Sequence, residues 1–204
     1  MASRARPPLG AIALVLLLAW VVVYPLVIVF AEAARADVAG ILREGVEWHA
    51  LSAAVFGTLL LGIAVTDARH YIIPDEFTWG GLVLGVALAV PGGRAALGSA
   101  LLGAAGGFAL LYAVAWAGEK VFKKEAMGGG DIKMMAMVGA FVGWKGVLLT
   151  IFGGALLGTL VFVPISLRTK KLVPFGIFLA AGAAVAFLAG EALVAWYRRS
   201  ILGL

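Results

Sequence analysis

The chain has 204 residues, of which 63 % are hydrophobic and only 13 % are charged, so it carries more apolar surface than a water-soluble domain of this size can bury. The formal net charge of +5 does not indicate nucleic-acid binding, because the basic residues cluster at the ends of apolar segments, where they orient a membrane protein. The absence of cysteine excludes disulfides and thiolate chemistry, and only two histidines are present, so we predict no metal and no cofactor.

Apolar segments separated by short polar breaks predict an all-α fold, a polytopic transmembrane helix bundle of about six to eight spans in a lipid bilayer. Residues 1–47 are expected to form an N-terminal anchor helix and a polar connection, and residues 48–204 a membrane-embedded core. The 28 glycines favour close packing of the helices. In chain order the predicted spans are Leu9–Phe30, His49–Thr66, Thr78–Val90, Ala95–Ala117, Ile132–Phe141, Gly146–Ser166 and Leu172–Tyr197.

Basic residues also predict the orientation in the membrane, since loops rich in Lys and Arg stay in the cytoplasm. With a cytoplasmic N-terminus, Arg69, Lys120–Lys124 and Arg168–Lys171 fall on the cytoplasmic side of an inner membrane. The Arg198-Arg199 pair does not fit this orientation, because an odd number of spans places the C-terminus outside.

Two acidic residues at the ends of predicted spans are candidates for catalysis. Asp67 closes the second span, and Asp131 opens a later span directly after Gly128, Gly129 and Gly130. Taken singly, Asp67 could pair with an arginine and Asp131 could cap its helix. Two carboxyl groups at the same predicted depth, beside a glycine loop that lets a peptide backbone approach, instead favour acid–base hydrolysis of a peptide bond. Such a pair would hold one proton between its two members.

Neighbouring polar residues have simpler expected roles. Asp75 is predicted to cap the next helix rather than to serve as a third acid. Lys133, two residues after Asp131, could either tune the acidic pair and shape the site or anchor its helix at the membrane interface.

Three segments resemble those of a known family. Residues 125–146, E-A-M-G-G-G-D-I-K-M-M-A-M-V-G-A-F-V-G-W-K-G, are similar to the G-x-G-D region of the type IV prepilin peptidases. The segment D-A-R-H-Y-I-I-P-D at residues 67–75 resembles the family's region around its first catalytic Asp, and Pro174-Phe175-Gly176 resembles its Pro-Phe-Gly stretch. The resemblance implies that Asp67 and Asp131 are the catalytic pair and that the substrate is a prepilin or pseudopilin precursor with a short basic leader.

One departure from the family pattern concerns a second activity. Bifunctional members carry a cytoplasmic domain near the N-terminus, often with four cysteines, that methylates the new N-terminus. This chain has no cysteine and resembles the compact, peptidase-only branch, so cleavage without methylation is expected.

Two other kinds of function would use the same residues differently. A proton-coupled or ion-coupled transporter could bind ions at Asp67 and Asp131, and a protein with the peptidase fold could merely dock pilin precursors. The intact aspartate pair argues against the docking protein, and the expected lack of any further buried acid along the spans argues against a proton relay.

Overall fold

The structure, a computed structural model, describes residues 48–125, 127–169 and 174–200. These residues form helices and contain no strand, which confirms the predicted all-α class. The predicted anchor Leu9–Phe30 and the connection up to residue 47 lie outside the described residues. The elements are α1 (Trp48–His70), α2 (Asp75–Ala89), a 3-10 helix (Val90–Gly92), α3 (Gly93–Phe122), α4 (Gly129–Thr169) and α5 (Gly176–Ser200).

Within the described residues, four helical stretches are long and apolar enough to cross a membrane, as judged from length and composition. Two of the four stretches contain a reversal of chain direction, so each consists of two helices. The number of six to eight spans stays a prediction. The four stretches are Trp48–His70, Asp75–Phe122, Gly129–Val161 and Gly176–Ser200.

The helix α2 runs parallel to the first part of α4. Its Gly81 packs against Met137, and its Gly85, one turn later, packs against Phe141. Both glycines are buried, and a side chain at either position would overlap a residue of α4. The two helices therefore start at the same end of the bundle.

The helix α3 runs antiparallel to the same part of α4. Gly103 lies against the backbone of Gly139, and Gly107 lies against the backbone at Met135. Small residues at such crossings let two membrane helices approach to backbone contact. Since α2 and α3 run in opposite directions, the chain reverses at the 3-10 helix Val90–Gly92 between them.

A second reversal divides α4, whose 41 residues would form a rod of about 60 Å, roughly twice the thickness of a bilayer core. At Gly143 the backbone leaves the helical region, with φ 66° and ψ 179°. Met135 before this break and Val147 after it both approach Gly107. The chain thus folds back at Gly143, between the two spans predicted to end at residue 141 and to begin at residue 146. We call residues 129–142 α4a and residues 144–169 α4b.

Aromatic packing joins α1 to α4a and α5 in the core. The Phe56 ring stacks on Phe141, with 4.5 Å between ring centroids, and lies 5.2 Å from the Phe187 ring. Because Phe56 of α1 meets Phe187 of α5 while Asp67 meets Ile177, α1 and α5 are antiparallel. The C-terminal end of α1 and the N-terminal ends of α2, α4 and α5 therefore gather at one end of the bundle.

Candidate active site

Asp67 lies near the C-terminal end of α1 and is buried, with 6 % of its surface exposed. Its Oδ2 atom accepts a hydrogen bond of 3.2 Å from the backbone N–H of Ile177, in the first turn of α5. The backbone of Gly176, the residue before Ile177, also lies against this carboxyl group. Among the described residues Asp67 forms no ion pair with Arg69, so the simpler interpretation of this residue finds no support there.

Asp131 is the third residue of α4 and is half-buried. Its backbone N–H donates to the carbonyl oxygen of Gly128 at 3.2 Å, which places Asp131 inside the first turn rather than at the capping position. Its carboxyl group lies close enough to that of Asp67 for the two charges to interact. The fold therefore brings together the two acids that the sequence singled out.

Ile73 lies between the start of α4, beside Asp131, and the start of α5, and nothing in the sequence predicted this position. A Cβ atom built on Gly130 would lie 3.0 Å from the Ile73 Cβ, and one built on Gly176 would lie 2.9 Å from its Cδ1. Ile73 is buried, with 8 % exposed. Its position directly before Pro74, in the segment that resembles the first catalytic region, was the only available signal.

The three glycines before Asp131 differ in their surroundings. Gly128 and Gly129 are exposed, and a Cβ on Gly129 would meet nothing within 4 Å. A Cβ on Gly128 would lie 3.6 Å from Asp131 Oδ2, an ordinary contact. Gly130 instead packs on Ile73. The backbone beside Asp131 at Gly128 and Gly129 is thus exposed and carries no side chain of its own.

Lys133 does not point its charge at the acidic pair. Its Nζ lies 2.8 Å from each carboxylate oxygen of Asp75, and this ion pair connects the N-terminal turns of α4 and α2. The predicted capping role of Asp75 is wrong, because Pro74 holds the N-cap position and Asp75 is the first residue of α2. Neither role predicted for Lys133 included this partner. With both oxygens on an ammonium group, Asp75 is poorly placed to act as a third acid.

Comparison with known proteins agrees with the sequence resemblance. The profile of a family described as the type IV leader peptidase family matches residues 54–163. Three proteins named prepilin leader peptidase/N-methyltransferase are similar to this chain. The one from Aeromonas salmonicida (strain A449) is 32 % identical over 187 residues, which cover 88 % of this chain and 62 % of that protein.

The second relative, from Pseudomonas aeruginosa, is 35 % identical over 181 residues, covering 85 % of this chain and 61 % of that protein. The third, from Myxococcus xanthus, is 36 % identical over 132 residues, covering 65 % of this chain and 39 % of that protein. This chain thus spans less than two thirds of the length of these relatives. No solved structure matches the chain.

Proposed function

The chain belongs to the type IV leader peptidase family, and on this premise we propose that it is an aspartic endopeptidase that removes the short basic leader from prepilin or pseudopilin precursors. The chain is a multi-pass membrane protein, with several helices long and apolar enough to span a bilayer. The observation that carries the proposal is the meeting of Asp67 and Asp131 at one end of the bundle, close enough for their charges to interact.

The proposed chemistry uses the two carboxyl groups as one acid–base unit. The ionised member takes a proton from water while the water oxygen bonds to the scissile carbonyl carbon, and the protonated member donates to the carbonyl oxygen. The tetrahedral intermediate then collapses as a proton passes to the departing amine nitrogen. Two adjacent carboxyl groups suit these steps because they hold one proton between them at lower cost than two full charges.

Access of the substrate is proposed along the open side of Asp131. A peptide must come within hydrogen-bonding distance of the acids along its backbone, and side chains in the loop would obstruct it. Gly128 and Gly129 present only backbone there, and both are exposed. We assign these two glycines to substrate binding, and Gly130 and Lys133 to shaping the site through Ile73 and Asp75.

The orientation in the membrane follows from charge. The end of the bundle that holds the acids also holds Arg69, Lys120, Lys123 and Lys124, and basic residues favour the cytoplasmic side. We therefore propose that the protein lies in the inner membrane with its active site at the cytoplasmic surface, where water reaches the acids. The α5 helix runs away from this end, so Arg198 and Arg199 lie at the opposite surface.

The transporter alternative gains no support from the comparisons, which find leader peptidases. A transporter would move ions or protons without hydrolysing any peptide. The same cleavage experiment therefore separates the two functions.

The test is the cleavage of a purified prepilin by the detergent-solubilised protein, followed by mass spectrometry of the two products. We expect cleavage after the basic leader by the wild type and cleavage at least about a hundredfold slower by Asp67→Asn. Added chelator is expected to leave the rate unchanged, and the described residues contain no group of three or more His, Asp or Glu side chains that could hold a metal. An uncleaved precursor with well-folded wild-type protein would refute the proposed function.

Cleavage without methylation stays a prediction of the sequence, since the similar relatives are named for both activities. The same mass spectrum decides it. A mature product that gains the mass of one methyl group, only when this protein and a methyl donor are present, would contradict the prediction.

A further inference from the structure

The Pro-Phe-Gly segment has a place in the site that the catalytic proposal does not use. Pro174 and Phe175 precede α5, and Gly176 is its first residue. The carbonyl oxygen of Phe175 accepts hydrogen bonds of 3.0 Å and 3.1 Å from the third and fourth residues of the helix, so it serves as the first carbonyl of the helix. The N–H groups of Gly176 and Ile177 precede that ladder and have no partner within the helix.

Those two N–H groups meet the Asp67 carboxyl group instead. Ile177 N–H donates to Oδ2 at 3.2 Å, and the backbone of Gly176 lies directly beside the same carboxyl group. Hydrogen bonds from the backbone at a helix N-terminus orient a carboxylate firmly, because the donors belong to a rigid element. The start of α5 thus holds Oδ2 of Asp67 in place.

The same contact requires a residue without a side chain. A Cβ atom at Gly176 would lie 2.7 Å from Asp67 Oδ2, 3.1 Å from its Cγ and 2.9 Å from Ile73 Cδ1. No stable structure keeps a Cβ at 2.7 Å from an oxygen, so one of the two groups must move. The short carboxyl group can rotate about its side-chain bonds, whereas the buried helix start cannot shift as easily.

We propose that Gly176 and the Ile177 N–H are the positioning residues of Asp67, so that the Pro-Phe-Gly turn sets the orientation of one member of the acidic pair. This inference rests on the proposed function, because it concerns how Asp67 reaches its reactive geometry. The Pro-Phe-Gly turn is thus proposed to affect kcat, whereas other parts of the site bind the precursor.

The first test compares two glycine substitutions in the same helix. Gly176→Ala is expected to lower kcat about tenfold or more, the effect of a misplaced catalytic group, with KM for the precursor within about twofold of the wild type. Gly190→Ala is the matched control, because its Cβ would meet only Leu149 Cδ1, at the ordinary distance of 3.5 Å. Gly190→Ala should keep the wild-type unfolding temperature in detergent, whereas Gly176→Ala should lower it by a few degrees at most and stay folded at the assay temperature, because the Asp67 carboxyl group can rotate away.

A second pair of variants separates the hydrogen bond from packing. Ile177→Pro removes the N–H at a position in the first turn where proline is accepted, and Ile177→Ala removes the side chain but keeps the donor. Beyond the loss seen for Ile177→Ala, Ile177→Pro is expected to lose about a further tenfold in kcat, as for a hydrogen bond to a charged group.

The results distinguish this inference from the proposed function. Wild-type cleavage activity of Asp67→Asn would show that Asp67 is not catalytic. If Asp67→Asn is inactive while Gly176→Ala and Ile177→Pro keep wild-type kcat, only the positioning role is overturned. A fall in kcat with unchanged KM in variants that remain folded at the assay temperature supports it, whereas a rise in KM alone would assign the turn to precursor binding and overturn it.

Discussion

Lys133 and Asp75 are held together by two contacts of 2.8 Å between the Lys133 Nζ and the two carboxylate oxygens, although 58 residues separate them in the chain. The pair joins the first turn of α4, which carries Asp131, to the first turn of α2, which follows Ile73. The side chains are 34 % and 57 % exposed, so solvent screens their attraction. The ion pair thus connects two helix ends at the edge of the site and is not part of the acidic pair.

This exposure predicts a small effect for Asp75→Asn. Exposed ion pairs contribute at most about 1 kcal/mol, so we expect kcat to stay within about fivefold of the wild type. Lys133→Gln should have an effect of similar size, and the double substitution should cost no more than the larger single one, because both remove the same interaction. Cleavage rates of the three variants provide the measurement. Complete inactivity of Asp75→Asn alone would move the first catalytic role from Asp67 to Asp75.

The acidic pair should behave as one unit. Asp67→Asn and Asp131→Asn preserve the size of each side chain but remove the group that transfers a proton, so each should lower kcat by about 10²- to 10⁴-fold. The double variant should be little slower than either single one, since the second change removes nothing that still works. Initial cleavage rates of the three purified variants test this, with insertion checked by membrane fractionation. Multiplicative losses would show that the two carboxyl groups act independently.

The orientation of the bundle can be tested with single cysteines, because the chain has none of its own. Lys123 follows the last residue of α3 at the end that holds the acids, and Arg94 is the second residue of α3 at the other end. Lys123→Cys should react with a membrane-impermeant maleimide only after cells are opened, and Arg94→Cys should react in intact cells. The reverse pattern would place the acids outside the cytoplasm.

The contact between α3 and α4a predicts different effects for two glycines of α3. A Cβ on Gly103 would overlap the backbone of Gly139, whereas one on Gly106 would meet nothing within 4 Å. Gly103→Ala should destabilise the protein by about 1–3 kcal/mol, as overpacked sites do. Gly106→Ala, its control three residues away, should be neutral or stabilising by up to about 1 kcal/mol. Unfolding in mixed micelles measures both, and equal stabilities would contradict the close crossing.

The sequence predicted the two acids that the fold brings together and most of the helices, for different physical reasons. An ionisable residue at the end of an apolar segment is costly unless it has a function, so Asp67 and Asp131 were conspicuous. Helix limits were less accurate where polar residues extend a helix beyond its apolar part, as at Asp75, which begins α2 three residues before the predicted span. The predicted span from residue 172 is shortened at its start, because α5 begins only at Gly176, after Pro174.

The sequence could not indicate which residues tertiary packing brings into contact. Every residue except proline has a backbone N–H, so nothing marks Ile177 as the donor to Asp67. Ile73 is one apolar residue among many, and its place between the starts of α4 and α5 depends on how those two helices pack. The ion pair of Lys133 with Asp75 likewise depends on the neighbouring positions of two helix starts.

The reversal at Gly143 gives the last prediction, which concerns backbone geometry. With φ 66° and ψ 179°, Gly143 occupies a region that is almost confined to glycine, and the cost for another residue is about 1–3 kcal/mol. A Cβ there would also lie 2.5 Å from the Ser99 Oγ. Gly143→Ala should therefore be destabilised in mixed-micelle unfolding, while Gly98→Ala, in the open part of α3, should not be. Adding Ser99→Ala to Gly143→Ala removes the close contact but leaves the strained backbone, so most of the loss should remain. Full recovery in that double variant would show that the contact with Ser99, and not the backbone conformation, requires glycine where α4a turns back into α4b.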